Sequence, residues 1–398
     1  MQRENRGALK GLRVVEAGQL IAGPFCGQLL GDMGAEVIKL EPPGAGDPMR
    51  TWGRGETPVW WEVIARNKKS LSLDLRRAEG QAVARDLIAR SDILIENFRP
   101  GTLEGWNLDP AGLLAENPRL IVVRVSGYGQ TGPYAQRAGF GGVGEAMGGW
   151  RHLVGDPDRP PSRMGVSIGD TLAATYGCLG ALAALHHRDK TGQGQIVDSA
   201  LYEAVLQAME SLVPEYTVAG YVRERSGSTL PGVAPSNVYR CRDGEYLIGA
   251  NQDSVFARLC QAMGRPELAK DPRYETHLAR GRHQAELDAL IEDWTRGMSI
   301  DDLESLMVAH GVPAGRIYRA PEMLDDPHFA ARESLVEVEH PRFGALKMQN
   351  AFPRLSLTPG SVRSIAPQTV GEHTDEVLGE VLGYPPERRQ ALRAAGVV

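Results

Sequence analysis

Asp170 is the side chain in this sequence best suited to covalent chemistry. It follows Gly169 and precedes residues 171–188, an Ala- and Leu-rich stretch that predicts a buried helix. The N–H groups and the dipole at the start of a helix keep a carboxylate ionised, and an ionised carboxylate can attack a thioester as a nucleophile. Asp is also a favoured helix N-cap, so a structural role for Asp170 as that cap is compatible with the chemical one.

Two polar segments each follow a predicted strand. Residues 97–101 (Asn-Phe-Arg-Pro-Gly) come after an apolar run, and residues 126–133, which contain three glycines, come after another. In open α/β sheets, ligands bind outside the carboxyl ends of the strands, where both segments would lie. Alternatively, the first segment is an ordinary polar turn, and the glycines of the second bring the backbone close to another chain rather than to a ligand.

Several other chemistries lack their sequence signals. Residues 18–24 do not form the GxGxxG fingerprint of a dinucleotide site, although Glu41 follows the second predicted strand, where a ribose-binding acid would sit. The sequence contains no GxSxG elbow of a serine hydrolase. The nine histidines are scattered, and the adjacent side chains of His186 and His187 would diverge by about 100° on a helix. We therefore expect no metal site.

The elements that must position these residues alternate between strands and helices. Short apolar runs predict strands at 12–17, 35–40, 70–75, 92–96, 120–125 and 196–198. Helical spacing predicts helices at 25–33, 77–90, 171–188 and 199–212. Such alternation is typical of βαβ units around a mostly parallel sheet, so we predict an α/β fold.

The second half of the chain predicts a smaller unit. Residues 220–236 are rich in Gly, Ser and Pro and predict a crossing between domains. Residues 237–320 predict a small α/β unit that begins with a hairpin turning at Asp243-Gly244. From Pro321 the chain is Pro-rich and irregular up to a final helix at 386–395.

Composition narrows the class of protein. The chain has 398 residues and a net charge of −6, which argues against nucleic-acid binding. Its four cysteines are far apart and form no CxxC pair, so neither a disulfide framework nor a zinc site is expected. The first residues are charged, unlike a signal peptide, and no uninterrupted apolar run reaches the length of a membrane span. We expect a reduced, cytoplasmic protein with no membrane partner.

Six short motifs follow one another along the chain. They are Ala22-Gly-Pro24, Asn67-Lys-Lys-Ser70, Glu96-Asn-Phe-Arg-Pro-Gly101, Gly127-Tyr-Gly-Gln-Thr-Gly-Pro133, Gly169-Asp170 and Thr191-Gly-Gln-Gly-Gln195. In this order they resemble the motifs of the class III CoA-transferases, a family that includes formyl-CoA, carnitine-CoA and succinyl-CoA transferases as well as α-methylacyl-CoA racemases. The resemblance spans nearly the whole chain, including residues 394–398.

The resemblance implies a site and an assembly. It makes Asp170 the nucleophile, CoA thioesters the substrates and a prosthetic group unnecessary. It implies a doubly wound, Rossmann-like large domain at 1–215, a small domain at 225–320, and a return to the large domain at 325–398. It also implies two subunits that interlock as a homodimer. The positions that it assigns to CoA binding are Leu20, Ala22, Leu73, Arg76, Asn97, Phe98 and Tyr128.

The sequence also departs from its relatives. Arg76 stands where formyl-CoA transferase has a Lys, and either cation can pair with a phosphate. Pro42 and Gly105 occupy positions where a basic residue is common, so phosphate contacts are fewer or moved. The Gly-rich loop that covers the active site of formyl-CoA transferase is reduced to Gly232. These departures argue against formate or oxalate as the natural acid.

Two alternatives to CoA transfer differ in their sequence requirements. The racemases carry a His-Asp-Ile-Asn-Tyr type of segment, whose His is one of two acid–base groups. Residues 139–145 contain no histidine at the corresponding place, so one of the groups that racemisation requires is missing. A non-catalytic CoA-binding protein would not need the intact Gly169-Asp170 pair.

The acceptor acid is predicted from two segments. Residues 145–149 and 214–225 resemble the branch that moves CoA from succinyl-CoA to C4 to C6 dicarboxylic acids. A second carboxylate in a water-poor pocket needs a partner, and an Arg offers two parallel N–H donors. Arg50, near the ends of the first strands, is the candidate partner, and the alternative is a solvated loop residue.

Overall fold

The computed structural model describes residues 4–398, which form two compact units. The first contains the chain up to Trp150, Met164–Leu212 and Ala331–Val398. The second contains Arg151–Arg163 and Val213–Ala330. Residues 151–163, which the sequence placed in the large domain, thus group with the second unit.

A six-stranded sheet forms the centre of the first unit. Its strands are β1 (Arg13–Glu16), β2 (Glu36–Glu41), β3 (Lys68–Ser72), β4 (Ile93–Glu96), β5 (Ile121–Ser126) and β6 (Ile196–Ala200). All pairs are parallel, and the strand order is β3-β2-β1-β4-β5-β6. This is the doubly wound order, in which the direction of winding reverses between β1 and β4. The predicted α/β fold with a parallel central sheet is confirmed.

The helices follow the strands in chain order. They are α1 (Ala22–Asp32), α2 (Trp60–Ile64), α3 (Ala78–Ile88), α4 (Thr102–Gly105), α5 (Pro110–Glu116), α6 (Gly141–Met147), α7 (Trp150–Leu153), α8 (Ile168–Thr191), α9 (Leu201–Gln207), α10 (Leu212–Ala219), α11 (Asp253–Ala262), α12 (His277–Arg282), α13 (Gln284–Thr295), α14 (Ile300–His310), α15 (Ala320–Asp325), α16 (Pro327–Ala331), α17 (Thr374–Glu376) and α18 (Pro386–Ala394). The single helix predicted at 199–212 is therefore two, because β6 extends to Ala200 and a turn separates α9 from α10.

Both faces of the sheet are buried, because successive side chains of each strand point to opposite sides. Val14 and Ile93 face the layer formed by α1 and α8. Val15 and Leu94 face α3 and residues near the carboxyl end of the chain, among them Val397. Strands such as β1, β4 and β5 consequently contain short apolar runs, which is why their positions could be predicted.

Helix α8 is the longest helix and is long and apolar enough, by length and composition, to cross a membrane. The sequence has no uninterrupted apolar run of this length, because polar residues such as Asp170 and Thr171 interrupt the apolar residues of α8. In this structure, the buried side of α8, including Ala173 and Ala181, packs against α1 and the sheet. That is the packing of a core helix.

The second unit has an antiparallel sheet of three strands, β7 (Ser236–Cys241), β8 (Gly244–Gly249) and β9 (Ala314–Arg316). The predicted hairpin is present, with Arg242 and Asp243 as its turn and Gly244 already in β8. Helices α11, α13 and α14 supply the other half of its core.

A hairpin in the last part of the chain was not predicted. Strands β10 (Leu335–His340) and β11 (Gly344–Gln349) pair antiparallel where the sequence analysis expected irregular structure. The alternating residues of β10 bury Val336 and leave Glu337 exposed, a period-2 pattern that the nearby prolines concealed.

Candidate active site

The loop between β1 and α1 lies at the point where the strand order reverses. We call residues 17–21 the β1–α1 loop. Asn97, directly after β4, receives the Gln19 N–H on its Oδ1 at 2.8 Å and donates from Nδ2 to the Gln19 carbonyl at 2.9 Å. A Cβ on Gly18 would come within 2.7 Å of Asn97 Oδ1, so glycine is required there. The predicted positions Leu20 and Asn97 are thus brought together at the switch point, where doubly wound folds bind ligands.

Leu20 has an unusual backbone conformation. Its φ is +63°, in the left-handed region, which costs a non-glycine residue roughly 1–2 kcal/mol. Its N–H donates to the Asp47 carboxylate at 3.1 Å. The side chains of Gln19 and Leu20 remain partly exposed while their backbone is held.

Buried charges lie beneath this loop. Lys39 donates to Glu16 at 3.0 Å and forms an ion pair with Asp47 at 2.7 Å, and Lys68 pairs with Glu16 at 2.7 Å. Burial would lower the pKa of Lys39, but Asp47 and Glu16 outweigh it and raise that pKa above its usual value. Burial would raise the pKa of Asp47, but the Lys39 ammonium holds it below its usual value. Both groups therefore stay charged.

The end of β4 is fixed by a second set of charges. Glu96 accepts the Phe98 N–H at 2.7 Å and pairs with Arg124 at 2.6 Å, and Arg124 also reaches Glu104 at 2.9 Å. Burial raises the pKa of Glu96 to about 7, against the opposing effect of Arg124. The Phe98 ring stands edge-on to Trp106, with centroids 5.0 Å apart.

The end of β5 brings Tyr128 toward the chain segment that precedes α6. A Cβ on Gly127 would lie 2.9 Å from the Cα of Gly139, so these two backbones touch. The Tyr128 ring packs with Tyr134 and Tyr202, at centroid distances of 6.0 and 6.5 Å. The close approach of the glycines is thus to another part of the same chain.

Asp170 is the third residue of α8, and Ser167 is the N-cap residue. The interpretation of Asp170 as the N-cap is therefore wrong, although it does lie in the first turn, where the helix dipole favours a carboxylate. The half-buried carboxylate packs against Gly141, where a Cβ would be 2.1 Å from Asp170 Oδ2. A Cβ on Gly139 would likewise lie 3.5 Å from Tyr128 Cε2, so residues 139–141 pass close to both of these predicted site residues.

The remaining predicted CoA positions differ in exposure. The side chains of Ala22 and Leu73 are buried, at 4% and 2% exposure, and belong to the core. The side chain of Arg76 is largely exposed and pairs with Asp74 at 2.8 Å. An exposed pair of this kind is weak and leaves Arg76 able to turn toward a phosphate.

Arg50 has a structural role that the sequence analysis did not foresee. Its Nε and Nη2 donate to Glu41 at 2.8 and 2.7 Å, and its other donors reach the carbonyls of Pro367, Gln368 and Thr369. Its guanidinium lies 4.0 Å from the Trp61 ring centroid. All five N–H donors are occupied, so the structure argues against Arg50 as the partner of a substrate carboxylate.

Comparison with known proteins decides the family. The model of CoA-transferase family III matches residues 9–374. The chain is a member of CoA-transferase family III. It is 57% identical over 98% of both chains to succinyl-CoA–D-citramalate CoA-transferase of Chloroflexus aurantiacus, and 43% identical over 98% of both chains to the beta subunit of that organism's succinyl-CoA–L-malate CoA-transferase. The human succinyl-CoA:glutarate CoA-transferase is 31% identical, over 98% of this chain and 90% of the relative.

Solved structures agree with this membership of family III. A CAIB/BAIF family protein from Brucella suis matches with a TM-score of 0.82 and 35% identity, covering 95% of this chain and all of the other. Rv3272 from M. tuberculosis matches with a TM-score of 0.83 and 28% identity, covering 93% and 99% of the two chains. The resemblance inferred from the motifs, and the succinyl-CoA:dicarboxylate branch, are confirmed.

Two features of the site were missed by sequence reasoning. Gly141 was considered only as a place without histidine, whereas its lack of a side chain is what accommodates Asp170. Asp47 and Lys39 were not singled out, because a buried ion pair has no local signature. Within residues 4–398 the structure contains no group of three His, Cys, Asp or Glu side chains arranged to hold a metal ion.

Proposed function

We propose that this enzyme moves CoA from succinyl-CoA to a dicarboxylic acid, with Asp170 as the covalent nucleophile. The observation that carries the proposal is the placement of the Asp170 carboxylate in the first turn of α8, against a glycine that leaves it room. Relatives named for succinyl-CoA with D-citramalate, L-malate and glutarate support the choice of substrates.

The first half of the reaction transfers the donor acyl group and then CoA to Asp170. A carboxylate oxygen of Asp170 attacks the thioester carbonyl, and the C–S bond breaks to give a mixed anhydride and CoA thiolate. The thiolate then attacks Cγ of Asp170 and expels the donor acid as its carboxylate. What remains is an aspartyl-CoA thioester.

The second half reverses these steps with the acceptor. Its carboxylate attacks Cγ of Asp170, which releases CoA thiolate and forms a new anhydride. The thiolate attacks the acceptor's acyl carbon, and the Asp170 carboxylate leaves. No net hydrolysis occurs if water is kept from the anhydrides. The steps use CoA thioesters as substrates and require no prosthetic group.

The CoA moiety would lie along the carboxyl edge of the sheet. Leu20 and Ala22 flank the start of α1, and Asn97 with Phe98 lies opposite, so the two sides of the switch point could enclose the nucleotide and pantetheine. Tyr128 would lie between this part of the CoA site and Asp170, because residues 139–141 lie next to both Tyr128 and Asp170. Leu73 and Arg76 follow β3, and Arg76 offers a cation to a phosphate.

We also propose a cytoplasmic homodimer with interlocked chains, whose large domain includes residues 331–398 and not the predicted start at 325. A single chain leaves large apolar side chains exposed around α6 and α8, a pattern that marks interaction surfaces. Phe140 is 69% exposed and Leu179 is 59% exposed. Val143, Met147 and Tyr176, on the same two helices, are also exposed.

A substrate screen tests the proposed function. The enzyme is incubated with succinyl-CoA and either succinate analogues of four to six carbons (malate, citramalate, glutarate) or butyrate, and the CoA thioesters are read by mass spectrometry. We expect new dicarboxyl-CoA products in equal amount to the succinate released. Equal rates with butyrate would refute the dicarboxylate preference, and CoA release without a new thioester would refute transfer. Exchange of the α-hydrogen of the acyl group with deuterated water, without transfer, would favour a racemase.

A further inference from the structure

Three side chains from different parts of the large unit hold consecutive backbone groups of the β1–α1 loop. Lys39, in β2, donates to the Gly18 carbonyl at 2.8 Å. The Asn97 side-chain amide accepts the Gln19 N–H and donates to the Gln19 carbonyl. Asp47 accepts the N–H of Leu20. The conformation of the loop is therefore imposed from outside it.

Asp47 contacts both the loop and Lys39, another of the three side chains that hold the loop. Its Oδ2 pairs with Lys39 at 2.7 Å, while Oδ1 accepts the Met49 N–H at 2.9 Å and so caps the short turn that begins at Pro48. Its own N–H donates to Glu41 at 2.9 Å. The Asp47 side chain is 1% exposed and cannot touch a ligand itself without a rearrangement.

The left-handed backbone at Leu20 shows that Asp47 holds a loop conformation in addition to forming a stabilising ion pair. A leucine does not adopt a φ of +63° without compensation. The hydrogen bond to Asp47 supplies that compensation at the residue that precedes Ile21 and the start of α1.

We propose that Asp47 is a positioning residue that holds the β1–α1 loop in the shape that binds CoA. The inference rests on the proposed function, because it takes Leu20 and Ala22 as CoA contacts. Asp47 acts on the loop through the Leu20 N–H and through Lys39, which donates to the Gly18 carbonyl. Losing it should weaken CoA binding while the sheet below remains assembled.

The test compares two buried aspartates of the same unit. Asp47→Asn removes the charge that faces Lys39, and Asp32→Asn does the same to the buried pair that Asp32 forms with Arg66 at 2.6 Å, at the far end of α1. CoA affinity is measured by titration calorimetry and stability by thermal melting. We expect both variants to melt earlier but only Asp47→Asn to bind CoA about tenfold more weakly. Unchanged CoA affinity in Asp47→Asn would overturn the proposal.

A second pair of variants separates positioning from general destabilisation. Leu20→Gly adopts the left-handed backbone without help, so in that background Asp47→Asn should weaken CoA binding by less than half as much on the free-energy scale. An equal loss in both backgrounds would contradict the positioning role. If Asp47→Asn fails to fold, Asp47→Glu keeps the charge and displaces the carboxylate by a methylene, and normal CoA affinity there would also refute the proposal. Absence of CoA binding by the unmodified enzyme would instead overturn the proposed function.

Discussion

The carboxylate of Asp170 occupies the space that a side chain at Gly141 would need. A Cβ at position 141 would lie 2.1 Å from Oδ2 and 2.7 Å from Cγ of Asp170. Real Cβ atoms do not approach other atoms so closely, so the glycine and the aspartate constrain one another. Gly141 begins α6 and Asp170 lies in the first turn of α8, so this contact also sets where the two helices meet.

We predict that Gly141→Ala lowers the rate of CoA transfer at least tenfold, because the added methyl forces the Asp170 carboxylate out of its position. CoA affinity, measured by calorimetry, should change little. Gly112→Ala is the matched control, since a Cβ there meets only the Asp109 carboxylate at an ordinary 3.5 Å. Equal transfer rates in the two variants would contradict the importance of this contact.

Asp170→Ala should abolish transfer while the protein stays folded. Asp170 is not the N-cap, and losing the interaction of its carboxylate with the helix dipole costs about 0.3–1 kcal/mol of the free energy of unfolding. Hydroxylamine added with succinyl-CoA should trap the acylated aspartate in the unmodified enzyme and not in the variant. Asp189→Ala, an exposed site in the same helix, serves as the control. More than a small residual turnover in Asp170→Ala would refute the covalent mechanism.

Arg76→Ala should raise KM for every acyl-CoA donor by a similar factor, because the nucleotide is common to all donors. We expect about a fivefold rise, because an exposed ionic contact is weak. Arg119→Ala is the control for loss of a positive charge. Arg119 is exposed just before β5, at the amino ends of the strands, whereas Arg76 follows the carboxyl end of β3. An effect confined to one acyl group would place Arg76 in the acyl pocket.

The pKa of Glu96, raised by burial from 4.5 to about 7, predicts how stability depends on pH. The folded state holds this proton more tightly than the unfolded state, so the contribution of Glu96 to the free energy of unfolding falls as pH rises from 4.5 to 7, by about 3 kcal/mol in total. Gln cannot titrate, so Glu96→Gln lacks this fall. Urea unfolding at pH 5.0, 6.0 and 7.5 should show the difference, unmodified minus variant, decreasing with pH. A constant difference would contradict the raised pKa.

An interlocked dimer should not separate without unfolding, because each chain would have to pass through the other. Sedimentation from micromolar to nanomolar concentration should therefore show one dimeric species. Leu179→Glu, on the exposed side of α8, should reduce assembly and the yield of folded protein together, whereas Lys190→Glu in the last turn should not. A folded monomer of the unmodified chain at micromolar concentration would refute interlocking.

The core of the fold could be predicted from the sequence because its strands bury both faces. The runs around Val14 and Ile121 are apolar at their centres, and their β-branched residues identify them as strands without any tertiary information. The hairpin of β10 and β11 could not be predicted in the same way, since half of its residues are polar and exposed.

Some residues of the candidate site could be predicted from their local sequence, and others could not. Asp170 and Asn97 stand in local contexts, a helix start and a strand end, that indicate chemistry or binding. Arg50 stands in an equally suggestive turn, but its role depends on Glu41 and on carbonyls more than three hundred positions along the chain. Contacts at that separation leave no local sequence pattern. The hydrogen bond between Asp47 and Leu20 also has no local sequence signal.

The carboxyl-terminal residues that cover the sheet have a consequence for biosynthesis. Val397 is fully buried and its carbonyl accepts the Asp74 N–H at 2.9 Å, while Leu378 packs on the same face. A ribosome adds about 5–20 residues per second, so the strands emerge on the order of ten seconds before the residues that shield them. The nascent sheet thus spends this interval with an apolar face open to water, and chaperones should associate with it. Products that end before residue 377 should therefore aggregate rather than fold.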